Sequence, residues 1–208
     1  MHLHNNVCYD DNKSTVTNTL KSTTSPLRKG EDLLNATFFQ RLKAFFIDYI
    51  FILIYLGVIL VINLLFPSVQ KLFNSHSLIV AQFFGFLLVT LPVSLYFILS
   101  DSVVGKQSFG KKVLKIRVVN QQGLPPTLSH ALLRTAIKFI PWELSHFLIY
   151  RLVNLGNQEV PLHLTLIGIL IYALMFAYIL TAIFTRKKQS LYDMIVKTRV
   201  EKYDGEHP

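Results

Sequence analysis

Three long runs of apolar residues constrain this chain more than any other feature of its sequence. The runs cover 44–66, 78–100 and 162–184, and the second and third contain no Asp, Glu, Lys or Arg. About 20 apolar residues are enough to cross the hydrocarbon core of a bilayer, whereas helices on the surface of soluble proteins carry a polar face. The sequence therefore predicts an all-α, multi-pass membrane protein whose partner is the lipid bilayer.

Composition agrees with this class and argues against others. Of the 208 residues, 51% are hydrophobic and 16% are charged, against about 25% charged residues in an ordinary soluble domain. The net charge is +9, which is expected because Lys and Arg collect in the cytoplasmic loops of membrane proteins. A nucleic-acid partner is not predicted, because the sequence outside the spans has no basic patch with interleaved aromatic residues. Cys8 is the only cysteine, so neither an intrachain disulfide nor a cysteine zinc site can form.

The segment 132–152 has two interpretations. It is apolar on balance but contains several charged residues and Pro141, which taken alone is typical of an interfacial amphipathic helix. With four crossings, however, every basic cluster lies on one side of the membrane, whereas three crossings would place the C-terminal basic residues outside, against the positive-inside rule. We therefore predict a four-helix transmembrane bundle with both termini cytoplasmic. Its predicted spans are 44–66, 78–100, 132–152 and 162–184.

Outside the spans, the sequence predicts a small sheet and two tails. Residues 113–119 and 195–201 alternate between apolar and polar side chains, which predicts two strands that pair as a cytoplasmic β-hairpin or sheet. Residues 1–35 are polar without periodicity and are predicted to be a disordered cytoplasmic tail, and 204–208 form a short C-terminal tail. Thr37 and Gln40 fit a capping box, which places the start of the first helix there.

Asp48 is the only charged residue in the first apolar run. A charge at the centre of a bilayer costs roughly 2.5–3.5 kcal/mol. Arg41 lies seven residues earlier on the same helix face, but about 10 Å away along the axis, so we expect Asp48 to pair with another cation. The candidates are Arg134, Lys138 and the Lys111–Lys112 turn. Two roles stay open, a structural ion pair and a carboxylate that couples ion or proton movement.

Other patterns predict no cofactor, metal site or enzymatic activity. The segment 105–112 is similar to a phosphate-binding loop, but Lys112 occupies the hydroxyl position and a strand pattern follows where a helix is needed. Gly105 and Gly110 are therefore expected to turn the chain sharply out of the second span. The histidines lack metal-ligand spacing, and no Ser, His and Asp set shows the local signatures of nucleophilic catalysis.

Taken together, these residues resemble the RDD family of bacterial membrane proteins, named for an arginine and two aspartates. The matching residues are Arg41 and Asp48 in the first motif, Asp193 in 190–200, the turn 105–111, the strand 116–123 and the stretch 134–138. The resemblance covers about 36–203, which we treat as one transmembrane domain. The family often has two adjacent arginines in the first motif, but here the neighbours are Gln40 and Leu42, so only Arg41 can take that role.

The resemblance implies a bacterial inner-membrane location and a role in transport, which for some members is linked to sodium–proton exchange. On this basis the chain is interpreted as a transporter of a small solute or cation, sodium or proton. Asp48 would be the coupling carboxylate, Arg41 would set its potential, and Asp193 would anchor the cytoplasmic sheet. The alternative is a membrane scaffold or accessory subunit in which these charges are structural. Because four helices seldom enclose a complete pathway, the transporter interpretation also implies a homo-oligomer.

Overall fold

The computed structural model describes residues 35–73 and 77–203. The predicted tails 1–35 and 204–208, with Cys8, lie outside this part of the chain, apart from Asn35. The helices are α1 (Phe38–Leu65), α2 (Pro67–Phe73), α3 (Leu78–Gly85), α4 (Leu91–Ser100), α5 (Phe109–Val113), α6 (Leu128–Leu155), α7 (Leu162–Phe184) and α8 (Leu191–Ile195). A π-helical segment, Phe86–Thr90, joins α3 to α4 into one continuous helical span. The strands are β1 (Ile116–Val119) and β2 (Arg199–Lys202).

Three of the predicted spans are confirmed as helices long and apolar enough to cross a membrane: Phe38–Leu65, Leu78–Ser100 and Leu162–Phe184. The first begins at the predicted capping box, in which the Thr37 hydroxyl accepts a hydrogen bond from the Gln40 N–H and the Gln40 side chain accepts one from the Thr37 N–H. Most large apolar side chains on these helices are exposed in the isolated chain, as side chains that face lipid must be.

The third predicted span is helical but differs in character from the others. Helix α6 is 28 residues long, the same length as α1, and therefore measures about 42 Å. Its charged residues set it apart from the three apolar spans. It packs against α3, α4 and α7. Whether it crosses the membrane stays a prediction.

Two of the long helical segments contain a proline, Pro92 and Pro141. Each proline lacks the N–H that would bond the carbonyl four residues earlier. In both cases a tyrosine hydroxyl of a neighbouring helix donates to that carbonyl at 2.6 Å, and the pairs are Tyr55 with Leu88 and Tyr178 with Ile137. A freed carbonyl is thus satisfied by the adjacent helix, as a membrane interior requires.

The predicted pairing of the two basic stretches is confirmed, but the strands are shorter than expected. They pair antiparallel, with Val118 opposite Val200. Residues 109–113 and 191–195 are instead the short helices α5 and α8, so the start of each predicted strand and the predicted Lys111–Lys112 turn are wrong. The reason is local: Lys115 and Lys197, at φ 51 and 58, reverse the chain between each helix and its strand.

The segments that carry these strands are internal repeats. Residues 106–118 and 188–200 have the same residue at six aligned positions, Lys106 and Lys188, Gln107 and Gln189, Ser108 and Ser190, Lys115 and Lys197, Arg117 and Arg199, and Val118 and Val200. Their geometry also agrees, because the side-chain amide of each glutamine donates to the carbonyl nine residues later, Gln107 to Ile116 and Gln189 to Thr198. Both shared lysines have positive φ in each copy: Lys106 and Lys115 in the first, and Lys188 and Lys197 in the second.

The repeat extends to the long helices. Helices α1 and α6 each have 28 residues and each begin after a threonine, Thr37 or Thr127, whose side chain accepts from the N–H three residues later. The spans Leu78–Ser100 and Leu162–Phe184 each have 23 residues. Each half of the domain is therefore two long helices followed by a short helix and a strand. The pairing of Val118 with its equivalent, Val200, is the register that a two-fold relation between the halves requires.

Candidate functional site

Charged side chains from both halves meet at one end of the helices, next to the sheet. We call them the charged cluster: Arg41 and Asp48 of α1, Asp101 after α4, Lys111 of α5, Arg134 and Lys138 of α6, and Asp193 of α8. The cluster contains four cations and three carboxylates. The structure thus brings together the residues that the sequence singled out and adds Asp101.

Asp48 is buried, with 1% of its surface exposed. Its carboxylate accepts three hydrogen bonds, from the Tyr96 hydroxyl at 2.8 Å, the Ser108 hydroxyl at 2.6 Å and the Gly110 N–H at 2.7 Å. The expected cationic partner is not found, since no ion pair to Asp48 is formed within the described part of the chain. Hydrogen-bond donors on α4, α5 and the residue that precedes α5 compensate the charge instead.

Arg134 pairs with two other carboxylates rather than with Asp48. Its Nη1 donates to Asp101 at 2.9 Å and its Nε donates to Asp193 at 2.8 Å, with the side chain 3% exposed. Asp101 also forms an ion pair with Lys111. Burial alone would raise the pKa of Asp101, but Lys111 and Arg134 outweigh it and hold that pKa below its ordinary value. Arg134 therefore links the end of α4 to α8.

Asp193 is fully buried and joins the sheet region to the long helices. Besides Arg134, it accepts hydrogen bonds from Arg41 Nη1 at 3.0 Å and from the Thr198 hydroxyl at 3.2 Å. The other terminal nitrogen of Arg41 donates to the carbonyl of Val200 in β2, at 3.4 Å. Asp193 thus lies where the predicted anchoring role needs it, and Arg41 contacts Asp193 rather than Asp48.

The two glycines of the predicted turn lie where side chains do not fit. A Cβ on Gly110 would overlap the backbone carbonyl of Ala44 and lie 3.1 Å from Cγ of Asp48. A Cβ on Gly105 would lie 2.7 Å from the carbonyl oxygen of Leu99. Gly105 is in the turn that follows the second span, whereas Gly110 lets α5 approach α1 closely enough to bond Asp48.

Lys138 is the cation in the cluster that forms no ion pair with a described residue. Its ammonium lies over aromatic rings instead, 3.9 Å from the ring centre of Phe97, 5.6 Å from that of Phe139 and 6.0 Å from that of Phe45. It also faces a cavity of about 180 Å³ that Asp48, Arg41, Lys111 and Arg134 line. In the cluster, each carboxylate therefore has hydrogen-bond or ion-pair partners, whereas Lys138 has no ion-pair partner among the described residues and lies next to the cavity.

Sequence reasoning missed Asp101, Tyr96 and Ser108. Asp101 directly follows the apolar run, so it carried no signal of burial, and hydroxyl groups do not stand out in apolar helices. The repeat was a usable signal for Ser108, because it occupies the same helix-capping position as Ser190 in the second copy. It also aligns Lys111 with Asp193, which have opposite charges in equivalent places.

The fold and the site together define the class of this protein. It is a membrane protein with several apolar helices and a buried charged cluster at one end of them. Within this class, the model of the RDD family matches residues 35–197. The chain therefore belongs to the RDD family, which confirms the resemblance seen in the sequence. No curated protein and no solved structure matches the chain significantly.

Proposed function

We propose that this protein transports a small solute or ion across the membrane and that Asp48 is the coupling carboxylate. One observation carries the proposal: Asp48 is buried, yet it lines the cavity of about 180 Å³ together with the cations of the cluster. Ionisable side chains at membrane depth that face a cavity are typical of ion and proton pathways. Arg41 would act through Asp193, with which it pairs.

The donors around Asp48 favour a proton over a sodium ion as the coupled species. A protonated carboxyl group needs an acceptor for its O–H, and the hydroxyls of Tyr96 and Ser108 can each turn from donor to acceptor. The Gly110 N–H can keep donating in both states.

The topology proposed for this function has four crossings, with α6 as the third. The internal repeat supports it, because α6 takes the place in the second half that the apolar span α1 takes in the first. Four crossings would also leave both strands and both termini on the cytoplasmic side of a bacterial inner membrane. A homo-oligomer is part of the proposal, since four helices seldom enclose a pathway.

A scaffold or accessory subunit is the second candidate, and a specific observation favours it. Each carboxylate of the cluster already has protein partners, namely three donors for Asp48, two cations for Asp101, and two cations with Thr198 for Asp193. Buried ion pairs of this kind also occur where they only fix packing. Neither candidate requires enzymatic activity, and we propose none.

The decisive experiment is flux in proteoliposomes under a pH gradient and across a panel of cations, comparing wild type with Asp48→Asn. The amide oxygen of asparagine can keep the bonds from Tyr96 and Gly110, and its NH₂ can donate to Ser108, so the fold should be retained while protonation is lost. The coupling role predicts an unchanged melting temperature and abolished flux. Glu159→Gln, which removes an exposed carboxylate, is the matched control and should leave flux intact.

The outcomes separate the two candidates. Unaltered flux in Asp48→Asn would contradict the coupling role of this carboxylate. Absence of flux in wild type with every ion, together with a lowered melting temperature in Asp48→Asn, would favour the scaffold.

A further inference from the structure

A groove of about 580 Å³ runs from the charged cluster along the contact between α6 and α7. Its cluster end contains Lys138, and its length is lined mainly by apolar side chains: Phe139, Trp142, Ile149, Met175 and Ile179. We call it the Lys138 groove. Volumes of 300–1,000 Å³ with apolar walls and a few polar groups are typical of small-molecule sites.

The charge at the cluster end of this groove is not balanced by the protein. Counted over the described residues, the cluster has four cations against three carboxylates, and each carboxylate is held by other partners. The aromatic rings around Lys138 stabilise its ammonium but do not neutralise it. A cation in a partly dry site attracts an anion that can reach it.

The internal repeat allows the surroundings of Lys138 to be compared with those of Asp48. Asp48 and Lys138 occupy equivalent places, each eleven residues after the threonine that caps its helix. In the first half, α5 packs on α1 and supplies Asp48 with donors. In the second half, α8 pairs its Asp193 with Arg134 and Arg41 instead. Within the described residues, Lys138, at the position equivalent to Asp48, therefore forms no ion pair with a carboxylate.

We propose that the Lys138 groove binds a single-chain anionic lipid, with its carboxylate or phosphate head group on Lys138 and its hydrocarbon chain between α6 and α7. Charge complementarity selects the head group, and the apolar walls select the chain. Lys138 and Ile149 are eleven residues apart on α6, or about 16 Å along its axis, which suits a chain of medium length. The proposal does not depend on transport, because binding is its only requirement.

The test uses the full-length protein in a neutral detergent, with binding measured by native mass spectrometry and by the shift in melting temperature. The probes are dodecyl phosphate, dodecanol and inorganic phosphate. We expect one dodecyl phosphate to bind per chain, at least about tenfold more tightly than dodecanol or inorganic phosphate. Lys138→Met should reduce the affinity for dodecyl phosphate roughly tenfold, whereas Lys138→Arg, which keeps the charge, should retain it.

Two further variants make the result specific to the groove. Ile149→Trp places a bulky ring in the path of the chain and should weaken dodecyl phosphate binding without altering the cluster. Lys112→Met removes a positive charge from an exposed position of α5 and should change nothing. If Lys138→Met does not fold, Lys138→Arg and Ile149→Trp still decide the question.

Three results would overturn the proposal. Equal affinity for dodecanol and dodecyl phosphate would show that the head group is not recognised. Equally tight binding of inorganic phosphate would indicate a site for a free anion rather than for a lipid. Full affinity in Ile149→Trp, or in a folded Lys138→Met, would place the bound lipid elsewhere on the protein.

Discussion

Gly110 is the residue on which the close approach of α5 to α1 depends. Its N–H bonds Asp48 at 2.7 Å, and the backbone of Ala44 occupies the space that a Cβ would need. We expect Gly110→Ala to separate the two helices and to lower the free energy of unfolding by roughly 1–3 kcal/mol, the usual cost of overpacking. Thermal unfolding in detergent measures this loss.

Gly57→Ala is the matched control for this prediction. Gly57 lies within α1, and apart from the neighbouring backbone of its own helix no atom of the described residues lies within 4 Å of the position of its added Cβ. Alanine is favoured over glycine inside a helix by roughly 0.5–1 kcal/mol, so this variant should be as stable as wild type or slightly more so. Equal losses in both variants would show that the contact at Gly110 is unimportant.

Arg134 is the second residue whose removal should be costly. It is buried between Asp101 and Asp193, so Arg134→Met leaves two carboxylates with weaker compensation. Breaking a buried ion pair in this way typically costs 3–5 kcal/mol, and we expect a loss of about that size in detergent unfolding. Arg151→Met, on the same helix, removes a guanidinium that stacks on Phe147 and should cost far less. A similar loss in both variants would argue against a special role for the Arg134 pairs.

At this scale the sequence predicted which charged residues meet in the cluster better than it predicted their partners. Asp48 stands out because it is a charge inside an apolar run. Its partners do not stand out, since Tyr96, Ser108 and Gly110 are uncharged and lie 48 to 62 positions further along the chain. Arg134 and Lys138 were both candidates for Asp48, and only the packed structure shows that Arg134 pairs with Asp101 and Asp193 instead.

Among the elements, α6 depends on α7 for its hydrogen bonding. Pro141 leaves the Ile137 carbonyl without its helical donor, and the Tyr178 hydroxyl takes that place at 2.6 Å. Leaving a buried acceptor unsatisfied costs about 1–3 kcal/mol. We therefore expect Tyr178→Phe to destabilise the protein by that amount in the wild-type background, as measured by thermal unfolding.

A double-mutant cycle tests the cause. In a Pro141→Ala background the helix can supply its own N–H to Ile137, so Tyr178→Phe should cost much less there. The same cost in both backgrounds would mean that the tyrosine acts through ring packing and not through the freed carbonyl. Tyr55 and Leu88 provide an independent copy of the arrangement near Pro92.

The elements were predicted unevenly, for reasons that are local. Apolar runs of membrane length and the Thr37 capping box placed the long helices well. The strands were placed too early because the residues directly before them, 114–115 and 196–197, continue the alternation of apolar and charged side chains, although the structure has turns there. The left-handed backbone of Lys115 and Lys197 has no such signature, since glycine is the residue expected there.

For the whole molecule, we predict that α6 crosses the membrane. In a Cys8→Ser background, a cysteine at Asn157, in the loop between α6 and α7, should react with a membrane-impermeant reagent only from the outside. This follows because four crossings place all basic clusters on the cytoplasmic side. A cysteine at Gln121, in the exposed turn after β1, is the control and should react only from the cytoplasmic side. Reaction of both positions from the cytoplasm would make α6 an interfacial helix.

The class of the molecule followed from its sequence, whereas its internal organisation did not. Apolar length alone identifies the three spans, because lipid tolerates few other solutions. The repeat escaped notice because only short segments, 106–118 and 188–200, retain it in sequence. The long helices preserve the repeat in length and capping only, since lipid-facing positions accept almost any apolar side chain.

The register of the sheet bears on the origin of the chain. Val118 pairs with its own equivalent, Val200, so an ancestral chain of half this length could have joined a second copy of itself in the same register. Both subunits of such a homodimer have the same side chain at equivalent places. The single chain differs from such a homodimer, because it has opposite charges at the equivalent places Asp48 and Lys138 and at Lys111 and Asp193. This asymmetry of charge within the cluster is open only to a chain whose two halves have separate sequences.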